Sequence, residues 1–446
     1  MDSESSAAPS LKPVRVGICG LGTVGSGTFN VLMRNAEDIA RRAGRPIVVE
    51  QVGARRDNPD CDTSAANVTR DIFEVARNPD VDVVVELIGG YDTARQLVLE
   101  AIEHGKHVVT ANKALIAVHG NEIFDAAAKK GVIVAFEAAV AGGIPIIKTL
   151  REGLGANRIQ WVAGIINGTG NFILTHMRDE GRSFDDVLAE AQALGYAEAD
   201  PTFDVEGIDA AHKLTILASI AFGVPLQFDL AYTEGLRRIT AEDVEQADRL
   251  GYIIKHLGIA RRTDEGVELR VHPTLIEKSR LLANVHGVAN AVEVMGDAVG
   301  RSLYYGPGAG DEATASAVIA DILDVARDTA TDPRYRTPYL AFRGIDQGRR
   351  ELPILPISKV VSAYYLRLNA VDRPGVLARI SRILADLDIS IEKLVQREAG
   401  HEGSASLIIL THRAVEENMD RAITQLEALD DVEGSIMRIR VEGSDD

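Results

Sequence analysis

The chain has 446 residues, 46% of them hydrophobic and 26% charged, the make-up of a folded, water-facing protein rather than a low-complexity tail. No run approaches the roughly 20 apolar residues that cross a bilayer, and 48 basic against 66 acidic residues leave a formal charge of −18, which argues against a generally basic surface for nucleic acid or anionic lipid. Two cysteines, Cys19 and Cys61, are too few for a disulfide framework and point to a reducing, cytoplasmic setting.

At roughly 100–200 residues per domain, this length predicts two to four domains. Residues 1–13 carry acids and no apolar core, so they read as a flexible N-terminus and not a signal peptide. Residues 14–19 (VRVGIC) form a strand pattern, followed by GLGTVG and a helical spacing of Phe29, Leu32, Met33, Ala36, Ile39 and Ala40. Further strands are predicted at 47–54, 81–88, 107–111 and 132–139, with helices at 70–77, 92–104 and 119–130 between them. That alternation predicts parallel βαβ units in an open sheet covered on both faces, running to about residue 145.

From 146 to 320 the pattern changes to α+β. Amphipathic helices are predicted at 183–194, 206–222 and 241–257, and strands at 158–166, 266–274 and near 286–295. A helix over 311–328 is predicted to return to the first domain. A Pro-, Arg- and Gly-rich linker (332–358) leads to strand 363–369, helix 374–386, strands 389–397 and 404–412, helix 415–428 and strand 433–441, the βαββαβ order of the ferredoxin-like split motif.

Gly20-Leu21-Gly22-Thr23-Val24-Gly25 matches G-x-G-x-x-G in the strand–turn–helix context that a dinucleotide site requires. Gly20 serves the tight turn, Gly22 the approach of a pyrophosphate, and Gly25 the packing of helix on strand. After the second strand, Arg55 and Arg56 stand where an NAD site usually places an acid. Guanidinium suits a phosphate, so NADP is favoured, with NAD possible because Glu50 and Asp57 are near and the two arginines also read as solvated charges.

In the middle region, Asp209 and Lys213 are i and i+4 and share a helix face. A lysine beside a carboxylate can move a proton at a carbonyl oxygen; spacing alone equally fits a surface ion pair. Lys113 follows strand 107–111 at the carboxyl end of the sheet, where α/β sites gather, or is a plain loop lysine. Glu137 and the carbonyls that follow it to Pro145 could hold a hard monovalent cation, or form only a turn. His212 reads as structural, Cys19 lies inside a strand and Cys61 in a polar loop, and no cluster has zinc spacing.

Taken together, these motifs resemble the homoserine dehydrogenases: GLGTVG (20–25), TANK (110–113), EAAVAGGIP (137–145) and YAEADPTFDVEGIDAAHK (196–213), with NGTGNFIL (167–174) and GPGAGDEATASAV (306–318) as further similar stretches. The likeness covers about residues 14–345. Asp372-Arg373-Pro374-Gly375-Val376-Leu377 resembles the turn of ACT domains, small amino-acid-sensing modules. The implied architecture is an N-terminal Rossmann-type domain (14–145), a catalytic and dimerisation domain (146–320) and a C-terminal ACT domain (360–446).

The resemblance implies NAD(P)H-dependent reduction of L-aspartate 4-semialdehyde to L-homoserine, serving threonine, methionine and isoleucine synthesis. By matching motif positions, Lys213 is the proton donor, Asp209 its paired acid, and Lys113 a lysine near nicotinamide and substrate. Glu198 binds the substrate ammonium. Gly20, Gly22, Thr23, Val24, Gly25, Arg55, Arg56, Lys113 and Gly310 meet the cofactor. Glu137 with the carbonyls of Val140, Gly142 and Ile144 matches a sodium site. Asp372, Gly375, Val376 and Leu377 match a regulatory site, with threonine the expected effector, and a homodimer or homotetramer is expected.

Three rivals are weighed. A 2-hydroxy-acid dehydrogenase would place its glycine loop in mid-chain beside an Arg–Glu–His set. An aspartate-semialdehyde dehydrogenase needs a cysteine nucleophile. A non-catalytic amino-acid sensor would have no use for Lys113, Glu198, Asp209 and Lys213.

Overall fold

The structure, a computed structural model, describes residues 11–343, 352–398 and 403–443. Most of the N-terminal segment expected to be flexible (1–10), part of the expected linker (344–351) and residues 399–402 and 444–446 lie outside the described residues. Contacts group the chain into two compact units: residues up to Ile159 with Thr215–Phe228 and Met295–Glu351, and Gln160–Leu214 with Asp229–Val294 and Leu352–Asp446. The expected middle segment, 146–320, is thus shared between the units, and the C-terminal module belongs with the second.

The first unit is built on a six-stranded parallel sheet. Its strands lie in the order Asn67–Thr69, Ile47–Gly53, Val14–Cys19, Val83–Glu86, His107–Thr110, Val134–Ala135. Val16, Ile18, Val83, Val85 and Val109 are fully buried because helices cover both faces, which is why these strands read as continuous apolar runs. The helix Asp311–Asp328 adds Val318, Ile322 and Val325 to the same core. It lies against the helix Thr23–Arg34 at Gly27, where a Cβ would sit 2.7 Å from the Asp311 carbonyl oxygen.

Two local expectations need correcting. The strand expected over 132–139 is only Val134–Ala135, followed by a 3₁₀ turn at Glu137–Ala139, because Glu137 turns its backbone N–H to Asp321. The helix expected from 119 starts at Lys113, where the Asn112 side chain accepts the Leu115 N–H and caps it. Cys61 lies in a loop, as expected, with its side chain buried in the first core.

In the second unit the strands run Ala289–Gly296, Ile159–Ile165, Tyr252–Arg262, Val267–Glu277, Val432–Glu442, Val361–Val371, Ser404–Thr411, Ile391–Glu398. The helix expected over 241–257 stops at Leu250, because Gly251 takes a left-handed φ of 92°. The residues after it form a strand instead, paired antiparallel with Val267–Glu277 along eleven positions. Its eight residues Ile253–Ala260 are all buried, so no alternation marks it in the sequence.

The C-terminal βαββαβ module follows the expected order, with helices Val376–Asp386 and Glu416–Glu427. Its last strand pairs in parallel with the middle-region strand, Thr274 opposite Arg440 and Ile276 opposite Glu442, so both share one sheet. Two buried arginines cross this seam. Arg270 Nη2 reaches Glu442 at 2.6 Å, and Arg440 reaches Glu416 at 2.9 Å and Glu234 at 2.8 Å. Burial works against ionised Glu442, yet Arg270 and Arg261 hold its carboxyl down at about 2. No helix among the described residues is long and apolar enough to cross a membrane.

Candidate active site

The glycine turn follows the strand Val14–Cys19 and opens the helix Thr23–Arg34, with Gly22 at the cap position. Gly20 has φ 105°, and a Cβ there would lie 2.7 Å from the Leu87 carbonyl oxygen. A Cβ on Gly25 would run into the Gly20 carbonyl, whereas one on Gly22 would meet nothing within 4 Å. Two glycines are therefore required by the fold and the middle one by nothing in the protein, as expected where a ligand's pyrophosphate takes the space beside a helix start. The residues fit a dinucleotide. Arg55 and Arg56 are exposed just beyond the second strand, and Asn58 ties that loop to the glycine turn through the Leu21 carbonyl at 2.9 Å. Gly310 precedes the helix Asp311–Asp328 with φ 131°, next to the residue that packs on Gly27.

The turn 137–145 also belongs to the first unit. Both carboxyl oxygens of Glu137 accept backbone N–H groups, of Ile147 at 2.9 Å and Lys148 at 2.8 Å. Burial pushes its carboxyl up to about 6. Asp321, buried beside it, is pushed up to about 8 by desolvation and then by Glu137. Ala141 takes a left-handed φ of 54°, a conformation that costs a residue with a Cβ about 1 kcal/mol or more. The Ile144 carbonyl accepts the Ile146 N–H at 2.7 Å. Among the described residues no group of three or more His, Cys, Asp or Glu is arranged around a metal, so a cation at this turn would draw on main-chain carbonyls such as those of Val140 and Gly142.

In the second unit, Asp209 and Lys213 lie on the helix Ile208–Phe222. Lys213 Nζ donates to Asp209 Oδ2 at 2.6 Å and to the Ile166 carbonyl at 2.7 Å. The two side chains are 11% and 8% exposed, so the open reading of a solvated surface pair is excluded. Asn167 completes the arrangement: its amide donates to Asp209 at 2.9 Å and to Asp204 at 2.7 Å. Its Oδ1 accepts the Gly170 N–H and caps the helix Gly168–Glu180. Sequence reading gave Asn167 no role, although Asn before Gly-Thr-Gly at a helix start is a capping signal. Glu198 is exposed, in a segment held by Thr169 through the Tyr196 carbonyl and by Gln192 through the Glu198 carbonyl. His212 is fully buried.

A lysine fixed by two acceptors and sheltered from water presents its proton in one geometry, which suits protonation of an oxygen on which charge develops. Both cysteines are buried and their thiols raised, Cys19 strongly, by burial, which removes the thiolate that an acyl-enzyme route requires.

Comparison with known proteins supplies the family. Residues 145–323 match the family model described as homoserine dehydrogenase, 20–137 its NAD-binding domain, and 364–431 the ACT domain. The homoserine dehydrogenase of Pseudomonas aeruginosa is 67% identical, over 97% of this chain and 99% of that protein.

The chain belongs to the homoserine dehydrogenases.

That of Neisseria gonorrhoeae is 54% identical over 98% of this chain and 100% of its own. Among solved structures, the homoserine dehydrogenase from Thiobacillus denitrificans superposes with a TM-score of 0.92 at 61% identity, covering 97% of this chain and 99% of that one. A hyperthermophilic archaeal homoserine dehydrogenase, solved in complex with NADPH, matches 70% of this chain and 97% of its own at 26% identity, with a TM-score of 0.60. The protein is therefore an NAD(P)-dependent oxidoreductase, a homoserine dehydrogenase with an NAD-binding domain, a catalytic domain and an ACT domain. The rival 2-hydroxy-acid and aspartate-semialdehyde enzymes are set aside by these matches.

The ACT turn is exposed at Asp372, Gly375 and Leu377 and buried at Val376. Gly375 takes φ 93° at the start of the helix Val376–Asp386, and Asp372 accepts a hydrogen bond from Gln396 at 3.3 Å. A cavity of about 900 Å³ in the first unit opens between the helices Lys113–Lys130 and Asp311–Asp328 and residues 333–343, and is lined by none of the residues expected to bind or react.

Proposed function

We propose that Lys213 is the proton donor of aldehyde reduction, and that the buried Lys213–Asp209–Asn167 arrangement is the observation that carries the assignment. Gly20, Gly22, Thr23, Val24, Gly25 and Gly310 would hold the reduced dinucleotide, whose chemistry when bound would be hydride donation to the aldehyde carbon of L-aspartate 4-semialdehyde. Lys213 Nζ then gives its proton to the carbonyl oxygen as charge builds there, and Asp209 keeps the ammonium charged and aimed. Lys113, at a helix start and a strand end, adds positive charge near the nicotinamide and the substrate. Glu198 pairs with the substrate ammonium. Residues 14–145 bind the cofactor, 146–320 the substrate and a second copy of the chain, and 360–446 an effector.

Arg55 and Arg56 favour NADP over NAD, because a guanidinium pairs bidentately with a phosphate. A monovalent cation such as sodium, where bound, is held by Glu137 with the carbonyls of Val140, Gly142 and Ile144 and orders that turn. Threonine is the effector, bound at Asp372, Gly375, Val376 and Leu377, and the reaction serves threonine, methionine and isoleucine synthesis in the cytoplasm by a homodimer or homotetramer. The test of the proton donor is Lys213→Met, followed as NADPH formation from homoserine at 340 nm. Turnover should fall by roughly 10²-fold or more while NADPH still binds; turnover near that of the parent refutes the role.

A further inference from the structure

The carboxyl ends of two neighbouring strands in the first unit, Val83–Glu86 and His107–Thr110, carry a hydrogen-bonded ring. Glu86 is fully buried. Its Oε1 accepts the N–H groups of Ile88 at 2.9 Å and Gly89 at 3.0 Å, and its Oε2 accepts the Thr110 hydroxyl at 2.6 Å. Thr110 Oγ1 accepts the Asn112 N–H at 3.0 Å, and the Asn112 amide donates to the Gly90 carbonyl at 2.7 Å. The ring therefore closes on itself: Glu86, Gly89–Gly90, Asn112, Thr110, Glu86. The helix it caps through Leu115 begins at Lys113.

Three donors converge on one side chain, and a carboxylate is the group that only accepts. Burial raises the Glu86 carboxyl, and these donors oppose it. Burying a carboxylate is costly unless it is fully hydrogen-bonded, so its presence calls for a use. Its location supplies one. Gly89 and Gly90 take φ 71° and 74°, are exposed, and have open space where a Cβ would stand. The carbonyl of Leu87, between Glu86 and these glycines, is the atom that forbids a side chain on Gly20. Val14–Cys19 and Val83–Glu86 are adjacent strands where the sheet order reverses, which is where open α/β sheets bind ligands.

We infer that Glu86 is a positioning residue of the cofactor site: without touching the ligand, its carboxylate fixes the Ile88–Gly90 turn and the Thr110–Lys113 corner as one wall of the dinucleotide crevice. The inference rests on the placement of the cofactor at the glycine turn. Replacement by glutamine would either set an NH₂ group against the two backbone N–H groups or turn the Thr110 hydroxyl from donor to acceptor and take away the carboxylate that receives its proton.

Titrating full-length protein with NADPH, followed by nucleotide fluorescence, tests this with Glu86→Gln, Thr110→Val and Thr110→Ser, and with Gly22→Val as a marker of the crevice. Glu86→Gln and Thr110→Val should each weaken NADPH binding about tenfold, the effect of one ligand hydrogen bond lost where the displaced wall no longer meets the nucleotide. Thr110→Ser, which keeps the hydroxyl, should stay within about twofold, and the KM for homoserine should move by less than about twofold in all three. Unchanged NADPH affinity in both Glu86→Gln and Thr110→Val, with binding lost in Gly22→Val, overturns the positioning role and leaves the crevice intact. Normal NADPH affinity in Gly22→Val as well removes the crevice, and the inference with it. If Glu86→Gln does not fold, the Thr110→Val and Thr110→Ser pair decides: equal affinities overturn the role, and a tenfold gap upholds it.

Discussion

Gly22 and Gly25 differ by three positions, and the structure assigns them opposite sensitivities. At Gly22 the backbone is extended, with φ −74°, so valine is not strained there and meets no atom within 4 Å. Losing glycine at a cap position costs about 0.5–1 kcal/mol, and a stiffer unfolded chain returns about 0.4–1 kcal/mol, so Gly22→Val should leave the melting temperature almost unchanged. Binding is another matter. A side chain there occupies the approach of a pyrophosphate, and each charge-assisted hydrogen bond lost costs about 1.5–3 kcal/mol, or roughly 10- to 100-fold in Kd. Gly25→Ala reverses the pattern, since its Cβ overlaps the Gly20 carbonyl and backbone must move, at about 1–3 kcal/mol. Differential scanning calorimetry without nucleotide and NADPH titration of the same preparations give both numbers. A Gly22→Val protein that binds NADPH like the parent, or that melts below Gly25→Ala, refutes the reasoning.

The Asp321 carboxyl, packed against Glu137, Lys148 and Arg151, stands at about 8 when folded against about 4 when unfolded. The native state thus holds that proton more tightly, and this contribution to stability is complete below about pH 4 and lost as pH climbs to about 8. Glu137 acts in the same direction up to about 6. Asp321→Asn keeps an acceptor for the Glu137 N–H and removes the titration. Its melting temperature relative to the parent should rise between about pH 5 and pH 8, and a constant difference defeats the account. Steady-state kinetics form one further panel. The kcat/KM for NADP⁺ should exceed that for NAD⁺, and Asp372→Ala should weaken threonine inhibition roughly tenfold with uninhibited kcat unchanged; equal cofactor use or unaltered threonine sensitivity counts against the respective assignment.

How much of this could be read from residues alone differs by element. The parallel sheet was legible because continuous valine and isoleucine runs alternate with helical spacing. The strand Tyr252–Arg262 was not, because its long buried run, YIIKHLGIARR, carries no period-2 signal and follows a helix with no break but Gly251. Asp209 and Lys213 were legible as a pair from spacing, whereas the third member, Asn167, stands 42 positions from Asp209 and meets it only in the folded chain. Glu86 was hidden for a different reason. An acid closing an apolar strand looks like the strand's solvent end, and only the three donors that meet on it reveal that it faces inward.

The seam between the last strand and Val267–Glu277 decides how the effector question can be asked. Excising the C-terminal 87 residues, 360–446, would strip a neighbour from an interior strand and leave the Arg270 guanidinium, 1% exposed, with Glu268 as its remaining carboxylate partner. The charge pairing of Arg270 would be halved, and the bared strand edge would recruit other chains. A shortened protein that ignores threonine would therefore be reporting damage rather than deafness. Scissors are the wrong tool for this enzyme; single exchanges on the exposed turn, far from the seam along the chain, separate sensing from integrity.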